Sequence, residues 1–471
     1  MVTKMRKGRA VVVSSVLLVA CGGSSEPSPP AGESSDGSGD SGSSSTSTTG
    51  ELPPADDTTG TTGVEADVTY HEHLRPLLER SCVGCHQPGN IGPFSMTSYD
   101  EVHPLREAIV LAVEEGTMPP WHADSDCREY VGDPSLSPEE IALVRAWVDE
   151  GAVEGDPAAY VPPDVTSPSS LSRVDLSLAL PEPYEPQLAP DDYRCFLLDW
   201  PHEELTYVSG FAAQPDQLHM VHHIIAFAIA PEQVAEYQAL DDAEPGAGYT
   251  CFGGPGGEID PTDPTSVGNW LGSWAPGGFA GDFPEGTGIP VEPGSKVVVQ
   301  VHYNTAVGNL QPDQSAVAFK IDAEVERPAV MLLWADPSWI TGGMPIPAGE
   351  ASVVHSFELD PTLFINFITD VIPQGQPFQI YSAAHHMHTL GVRAQQTIER
   401  SDGSQTCLLG VPRWDFNWQQ AYRFAQPEVF EPGDHLRLAC EWDNAAGDAT
   451  VNWGDGTSDE MCLGIFYATA L

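Results

Sequence analysis

The stretch Ser81-Cys82-Val83-Gly84-Cys85-His86 constrains this chain more than any other, because few structures call for two thiols one helical turn apart with a histidine directly after them. Cys-x-x-Cys-His is the attachment signature of a c-type haem: the thiols form thioethers with the vinyl groups, and His86 is placed to bind iron. It closes a helical pattern in which Tyr70, Leu74, Leu77 and Leu78 share one face. A second helix is expected near Val102 to Glu115, carrying Leu105, Ile109, Ala112 and Val113 and stopping at Gly116. A third starts with Ser137 as N-cap, Pro138 at the first position and Glu140 three residues on, then buries Ile141, Val144, Trp147 and Val148 before Gly151.

Between the second and third helices lies Thr117-Met118-Pro119-Pro120-Trp121. Three helices, one Cys-x-x-Cys-His and one Met in a proline-stiffened loop, all within 67–157, resemble a small all-α cytochrome c domain. The resemblance implies one covalently attached haem c on Cys82, Cys85 and His86, with Met118 as second axial ligand and His122 as a possible substitute. The rival is a zinc held by Cys82, Cys85 and two of His86, His122 and Cys127.

The N-terminus favours haem, since it reads as an export signal towards an oxidising compartment. Lys4, Arg6, Lys7 and Arg9 make a basic start, and Ala10 to Ala20 is apolar but too short to span a bilayer. Leu18-Val19-Ala20-Cys21 resembles the lipobox of bacterial lipoproteins, which implies a signal peptide over 1–21 and lipidation of Cys21. An ordinary signal peptide with a chance cysteine is the alternative. Gly22 in place of Asp after the cysteine implies, by the same resemblance, the periplasmic face of the outer membrane or the cell surface. Residues 22–66 are Ser, Gly, Thr, Pro and acid with almost no aliphatic side chain, a composition expected to form a disordered tether.

Charge narrows the partners. With 68 Asp+Glu against 19 Lys+Arg, net −49, the chain lacks the basic face that nucleic acid or an anionic membrane surface requires. With 45 Gly and 43 Pro and few helix-forming runs, a loop-rich β protein is expected after residue 158. Lys296 to Tyr303 alternates so that Val298, Gln300 and His302 share a face. In Ala383-Ala384-His385-His386-Met387-His388, a strand would aim His386 and His388 at one point and Met387 the other way. His222 and His223 are adjacent, so both can meet one ion only if the backbone bulges there.

Four motifs now fall in a recognisable order: His222-His223, Gln300-Val301-His302-Tyr303, His386-Met387-His388-Thr389-Leu390-Gly391 and Glu460-Met461-Cys462. Together with Pro412 to Trp418 they resemble the copper type II, ascorbate-dependent monooxygenases, the family of dopamine β-hydroxylase and peptidylglycine α-hydroxylating monooxygenase. The resemblance implies two all-β jelly-roll-like sandwiches, over 158–327 and 328–471, with one copper ion on each and a solvent-filled cleft between. It assigns an electron-supplying copper to His222, His223 and His302, and the copper at which O2 reacts to His386, His388 and Met461. Imidazoles suit copper in either oxidation state, and a thioether favours Cu(I). His219 and His385 are expected to act at most behind the ligands, while His355 and His435 are expected to be ordinary.

By the same resemblance Cys440 and Cys462 form a disulfide. Cys195 and Cys251 are the next plausible pair, and Cys127 and Cys407 have no evident partner. The peptide-amidating members hold their substrate's carboxylate with an Arg and a Tyr at the positions of Ala384 and Ile465, so a glycine-extended peptide is not expected as substrate. The expected function is an exported hydroxylase that puts one atom of O2 into a C–H bond of a small organic substrate. Its electrons would come through the fused haem from a periplasmic redox protein or an ascorbate-like reductant. The rival is an electron-transfer or copper-binding lipoprotein without hydroxylase activity.

Overall fold

The computed structural model describes residues 68–471 except 89, 164–169, 257–268, 276–277 and 279–280. The export signal, Cys21 and the Ser/Gly/Thr tract lie outside the described residues.

The first part is helical. A single wide turn over Tyr70–Leu74 leads into α1 (Arg75–Ser81), followed by α2 (Tyr99–Val102), α3 (Arg106–Glu114) and α4 (Pro138–Asp149). The helix expected over Val102 to Glu115 is broken by a tighter turn, His103–Leu105, because Pro104 has no N–H to give and its ring crowds the preceding turn. At α4 the expected capping box is complete. Glu140 N–H donates to Ser137 Oγ at 3.2 Å, and Ser137 N–H donates to the Glu140 carboxylate at 2.8 Å. Tyr70, Leu74, Leu78, Val102, Val110, Val144 and Trp147 close these helices around a core of their own.

From Leu176 onward strands dominate. In chain order they are β1 (Leu176–Ala179), β2 (Asp191–Asp199), β3 (Thr206–Gln214), β4 (Val221–Ile229), β5 (Tyr249–Thr250), β6 (Asn269–Trp274), β7 (Gly281–Asp282), β8 (Thr287–Val291) and β9 (Lys296–Asn304). Then come β10 (Ala316–Asp322), β11 (Arg327–Trp334), β12 (Val353–Leu359), β13 (Phe378–His386), β14 (Gly391–Glu399), β15 (Gln405–Val411), β16 (Ala421–Phe430), β17 (His435–Trp442) and β18 (Leu463–Ala470). One helix, α5 (Val234–Ala243), packs Tyr237 onto the outer side of β2, β4 and β9.

Two β-sandwiches result. In the first, the sheet β5-β2-β9-β4-β6 faces β1-β10-β3-β8 across a core that includes Phe196, Phe211, Ile224, Val299 and Phe319. In the second, β12-β17-β14-β15 faces β11-β18-β13-β16 across Leu332, Phe378, Ile398, Leu438 and Phe466. The sandwiches are not separate. Strand β11 runs parallel to β8, pairing Arg327 with Thr287 and Pro328 with Gly288, so one sheet of each sandwich merges into a single nine-stranded sheet. That shared sheet fixes how the histidine-bearing strands of the two halves stand to each other.

The helical part is strapped to the second sandwich. Asp124 N–H donates to Gly410 O at 2.8 Å, Val131 N–H to Arg423 O at 2.8 Å, and Ala425 N–H to Glu129 O at 3.0 Å. Tyr130 is buried in that sandwich's core, where its hydroxyl donates to Leu408 O. Cys127 and Cys407, left without partners by the sequence, are bonded to each other across 280 residues. No local spacing could have shown this pair, because only the docking of the strap brings the two thiols together.

Candidate metal centres

Strand β4 is irregular against β9 between Val221 and His223, and this bulge lets two consecutive histidines turn toward one place. Opposite them on β9 stands His302. His222, His223 and His302 are, among the described residues, the only group of three or more His, Cys, Asp and Glu in which one ligand atom from each residue lies within 4.8 Å of the others. His302 Nε2 donates to Asp191 Oδ1 at 2.9 Å, which leaves its Nδ1 lone pair facing the cluster, 3.2 Å from His222 Nδ1. Tyr193 stacks on the His302 ring with centroids 3.9 Å apart. His223 Nδ1 is buried without any hydrogen-bond partner, which costs about 1–3 kcal/mol unless something binds there, while the unpartnered His222 Nε2 lies on the side of its ring away from the cluster. Burial, then the neighbouring His302, pushes His222 down to about 3, and burial holds His223 well below the usual range. Burial raises Asp191, but the His302 and Thr457 bonds outweigh it and bring it to about 2, so an ionised carboxylate supports a neutral imidazole.

The second group is on the other sandwich. His386 is the last residue of β13, and His388 lies in the turn beyond it, while Met387 points into the core as the alternation requires. His386 Nδ1 donates to Gln419 Oε1 at 2.7 Å; the Gln419 amide is oriented by its NH2 donating to Phe416 O at 2.9 Å. His388 Nδ1 donates to Asp459 O at 3.0 Å. Each ring has thus committed its proton to Nδ1, and the two Nε2 lone pairs face each other at 3.2 Å. Burial pushes these imidazoles down to about 3 and about 4, so neither supplies the missing proton near neutrality. Two nitrogens each about 2 Å from one metal ion at 90–110° would stand about 2.9–3.4 Å apart, and the observed pair fits that spacing.

Met461 lines the same cavity as His386 and His388. Its position is set from both sides. Glu460 is fully buried and accepts from His388 N–H at 2.9 Å, Leu390 N–H at 2.6 Å and the Trp442 indole at 2.8 Å. Cys462 is bonded to Cys440.

Side chains join the two groups. Phe416 stacks on His222 at 4.6 Å and lies 6.0 Å from His388. Thr457 Oγ1 donates to Asp191 Oδ1 at 2.7 Å and Tyr193 OH donates to Asp455 O at 2.9 Å, so the loop before Met461 is tied to the strand behind His302. Between the groups lies a cavity of about 220 Å³, lined from one side by His223, Trp270 and Trp274 and from the other by Met331, His386 and Met461. Ala384 and Ile465 are cross-strand partners in its wall.

In the helical part, Cys82 and Cys85 are free thiols, and the turn continues α1 with His86 N–H donating to Cys82 O at 2.9 Å. His86 Nδ1 donates to Phe94 O at 3.1 Å, which leaves Nε2 available for a metal. Gly92 is required beside it, since a Cβ there would fall 2.7 Å from Cys85 O and 2.8 Å from His86 Nδ1. These residues fit an iron porphyrin bound by two thioethers and an imidazole. For the zinc alternative, Cys127 is taken by its disulfide, and the remaining set of Cys82, Cys85, His86 and His122 does not bring three ligand atoms within 4.8 Å of one another. Met118 is exposed, and His122 is buried in the strap beside Tyr422.

Of the other residues singled out in the sequence, Cys195 and Cys251 are bonded. His385 donates or accepts only with Gln396 and Leu409 O inside the second sandwich, His219 lies near Asn309 O, and His355 meets Pro345 O. His435 stands at the edge of β17 beside Glu358. Sequence reasoning did not find Asp191, Gln419 or Thr457. None sits in a motif with a spacing of its own, and Gln419 lies one residue past the Pro412 to Trp418 stretch.

Comparison with known proteins adds two findings. Residues 341–470 match the copper type II ascorbate-dependent monooxygenase, C-terminal domain. The DBH-like monooxygenase protein 2 of Mus musculus is 25% identical over 348 residues, covering 66% of this chain and 52% of that protein, so the match spans about half of the relative's length. Both findings support the copper type II ascorbate-dependent monooxygenase family. Among solved structures, the infectious bursal disease virus VP2 subviral particle has a TM-score of 0.16 at 10% identity, covering 63% of this chain and 71% of that one. The dimeric latent PorU of Porphyromonas gingivalis has a TM-score of 0.14 at 12% identity, covering 56% and 24%. Likenesses this slight carry no argument.

Proposed function

We propose that this chain, related through its C-terminal part to copper-dependent monooxygenases, is an exported copper hydroxylase of a small organic substrate, with a c-type haem as built-in electron donor. The observation that carries the reading is the pair of Nε2 lone pairs on His386 and His388, held face to face by Gln419 and Asp459 beside the Met461 thioether. A soft sulfur with two neutral imidazoles suits Cu(I), and three imidazoles suit copper in both oxidation states. Copper, when bound, supplies the one-electron chemistry that O2 reduction needs.

The overall reaction converts a C–H bond, O2, two electrons and two protons into a C–OH bond and one water. The chain's own residues do the arranging. His222, His223 and His302 hold one ion, and Asp191 keeps the His302 proton on Nε2. His386, His388 and Met461 hold the other, with Gln419 and Asp459 O fixing the tautomers. Phe227, Trp270, Trp274 and Tyr467 give the cavity aromatic surface against which an apolar substrate would pack. Cys82, Cys85 and His86 would hold the haem, with Met118 or another side chain as a further ligand, and the strap over 121–131 keeps that unit against the second sandwich. Arg413 donates to Gly116 O at 2.8 Å, three residues before Phe416, whose ring lies against His222 and near His388. A lipid anchor on Cys21 would hold the whole at a membrane facing the periplasm or the cell surface.

Met461→Ile tests the reading. The expected result is abolished oxygen consumption with copper still bound at the three-histidine group. Unchanged oxygen consumption would contradict the assigned centre, and unchanged electron transfer without any oxygen chemistry in the wild type would mark the chain as a carrier.

A further inference from the structure

The cavity beside the His386–His388–Met461 group has a composition that the proposed chemistry does not require. Its lining exposes more apolar than polar surface, with Ile225, Phe227, Trp270, Trp274, Met331 and Ile465 among the contributors, and none of the described residues lining it is Lys or Arg. A carboxylate or phosphate entering this space would lose its water with no cation to meet it, in a chain of net charge −49. Asp455 is the one acidic residue among the described residues of the wall, and burial and then Asp459 push its carboxyl above the usual range.

Size narrows the choice further. A dry apolar cavity of about 150 Å³ admits benzene, and the space here is about 220 Å³. That leaves room for one ring with a short substituent. Each buried CH2 of such a molecule contributes about 0.8 kcal/mol, whereas desolvating an unpaired charge opposes binding.

We propose that the substrate taken here is an uncharged, largely apolar compound of the size of a benzene ring with a short alkyl chain, and that Ala384 and Ile465 set this preference. The proposal rests on the hydroxylase reading for what happens to the molecule, but its binding does not depend on copper. Ala384 and Ile465 face each other across β13 and β18, so a cationic side chain at either position would place a charge in the wall.

The experiment is calorimetric titration of the copper-free full chain with ethylbenzene, phenylacetate and 2-phenylethylamine, which share the ring and differ in charge. Ethylbenzene is expected to bind at least tenfold more tightly than either ion. Ala384→Arg is expected to weaken ethylbenzene and to strengthen phenylacetate at least tenfold, and Ile465→Arg gives the same reversal if the first variant fails to fold. Absent ethylbenzene binding, an ion bound as tightly as ethylbenzene, or folded variants without the reversal would overturn the proposal. Ethylbenzene binding in a protein whose copper does no oxygen chemistry would sink the hydroxylase reading alone. Oxygen chemistry without ethylbenzene binding would sink this inference alone.

Discussion

His386 and His388 show how much a single ring nitrogen decides. Their donor atoms converge only because Gln419 and a backbone carbonyl take the protons on the far side of each ring. Without Gln419 Oε1 the His386 ring can flip or change tautomer, and the cluster loses one of its lone pairs. Partners of this kind are typically worth 10–100-fold in metal affinity. Gln419→Leu is therefore expected to weaken copper binding at this group by about 10–100-fold while leaving the three-histidine group at wild-type affinity, as read by copper titration with electron paramagnetic resonance. Equal weakening at both groups would show that Gln419 acts through the fold and not through His386. Asp191 differs, because its carboxylate serves His302 and Thr457 together, and a change there touches both groups.

At the level of elements, the strap over 121–131 is the feature with the clearest energetic weight. It joins a helical unit that has its own core to β15 and β16 by backbone pairing, by Tyr130 and by the Cys127–Cys407 bond. A disulfide across so long a separation removes much of the unfolded chain's freedom, and losing a native one costs about 2–5 kcal/mol. The double variant Cys127→Ser, Cys407→Ser is expected to lower the urea midpoint by the equivalent of about 2–5 kcal/mol, and no change in midpoint would contradict the strap's role. The elements themselves were largely legible. The α4 capping box, the alternation over Lys296 to Tyr303 and the bulge needed at His222-His223 each follow from local chemistry, and each is present. The break at Pro104, the merged nine-stranded sheet and the Cys127–Cys407 bond were not legible. The first is a local contest that a helical pattern hides. The other two depend on contacts between residues far apart in sequence, which no window along the chain can hold.

For the whole molecule, the arrangement is two histidine groups facing one apolar cavity across a shared sheet, with a third candidate metal site on a unit strapped beside them. The histidines of the two groups and Met461 could be picked out in the sequence because four short motifs fall in an order that resembles one family. The closeness of the groups could not, because Phe416, Thr457 and Tyr193 become a bridge only once both sandwiches are folded. The central claim is that electrons held on the haem reach oxygen through these copper centres. It is tested by maturing the protein in a haem-attaching host, reducing it without oxygen, mixing it with O2, and following the haem absorbance with and without copper loaded. The account predicts faster haem reoxidation in the copper-loaded protein than in the copper-free one; equal rates would contradict it.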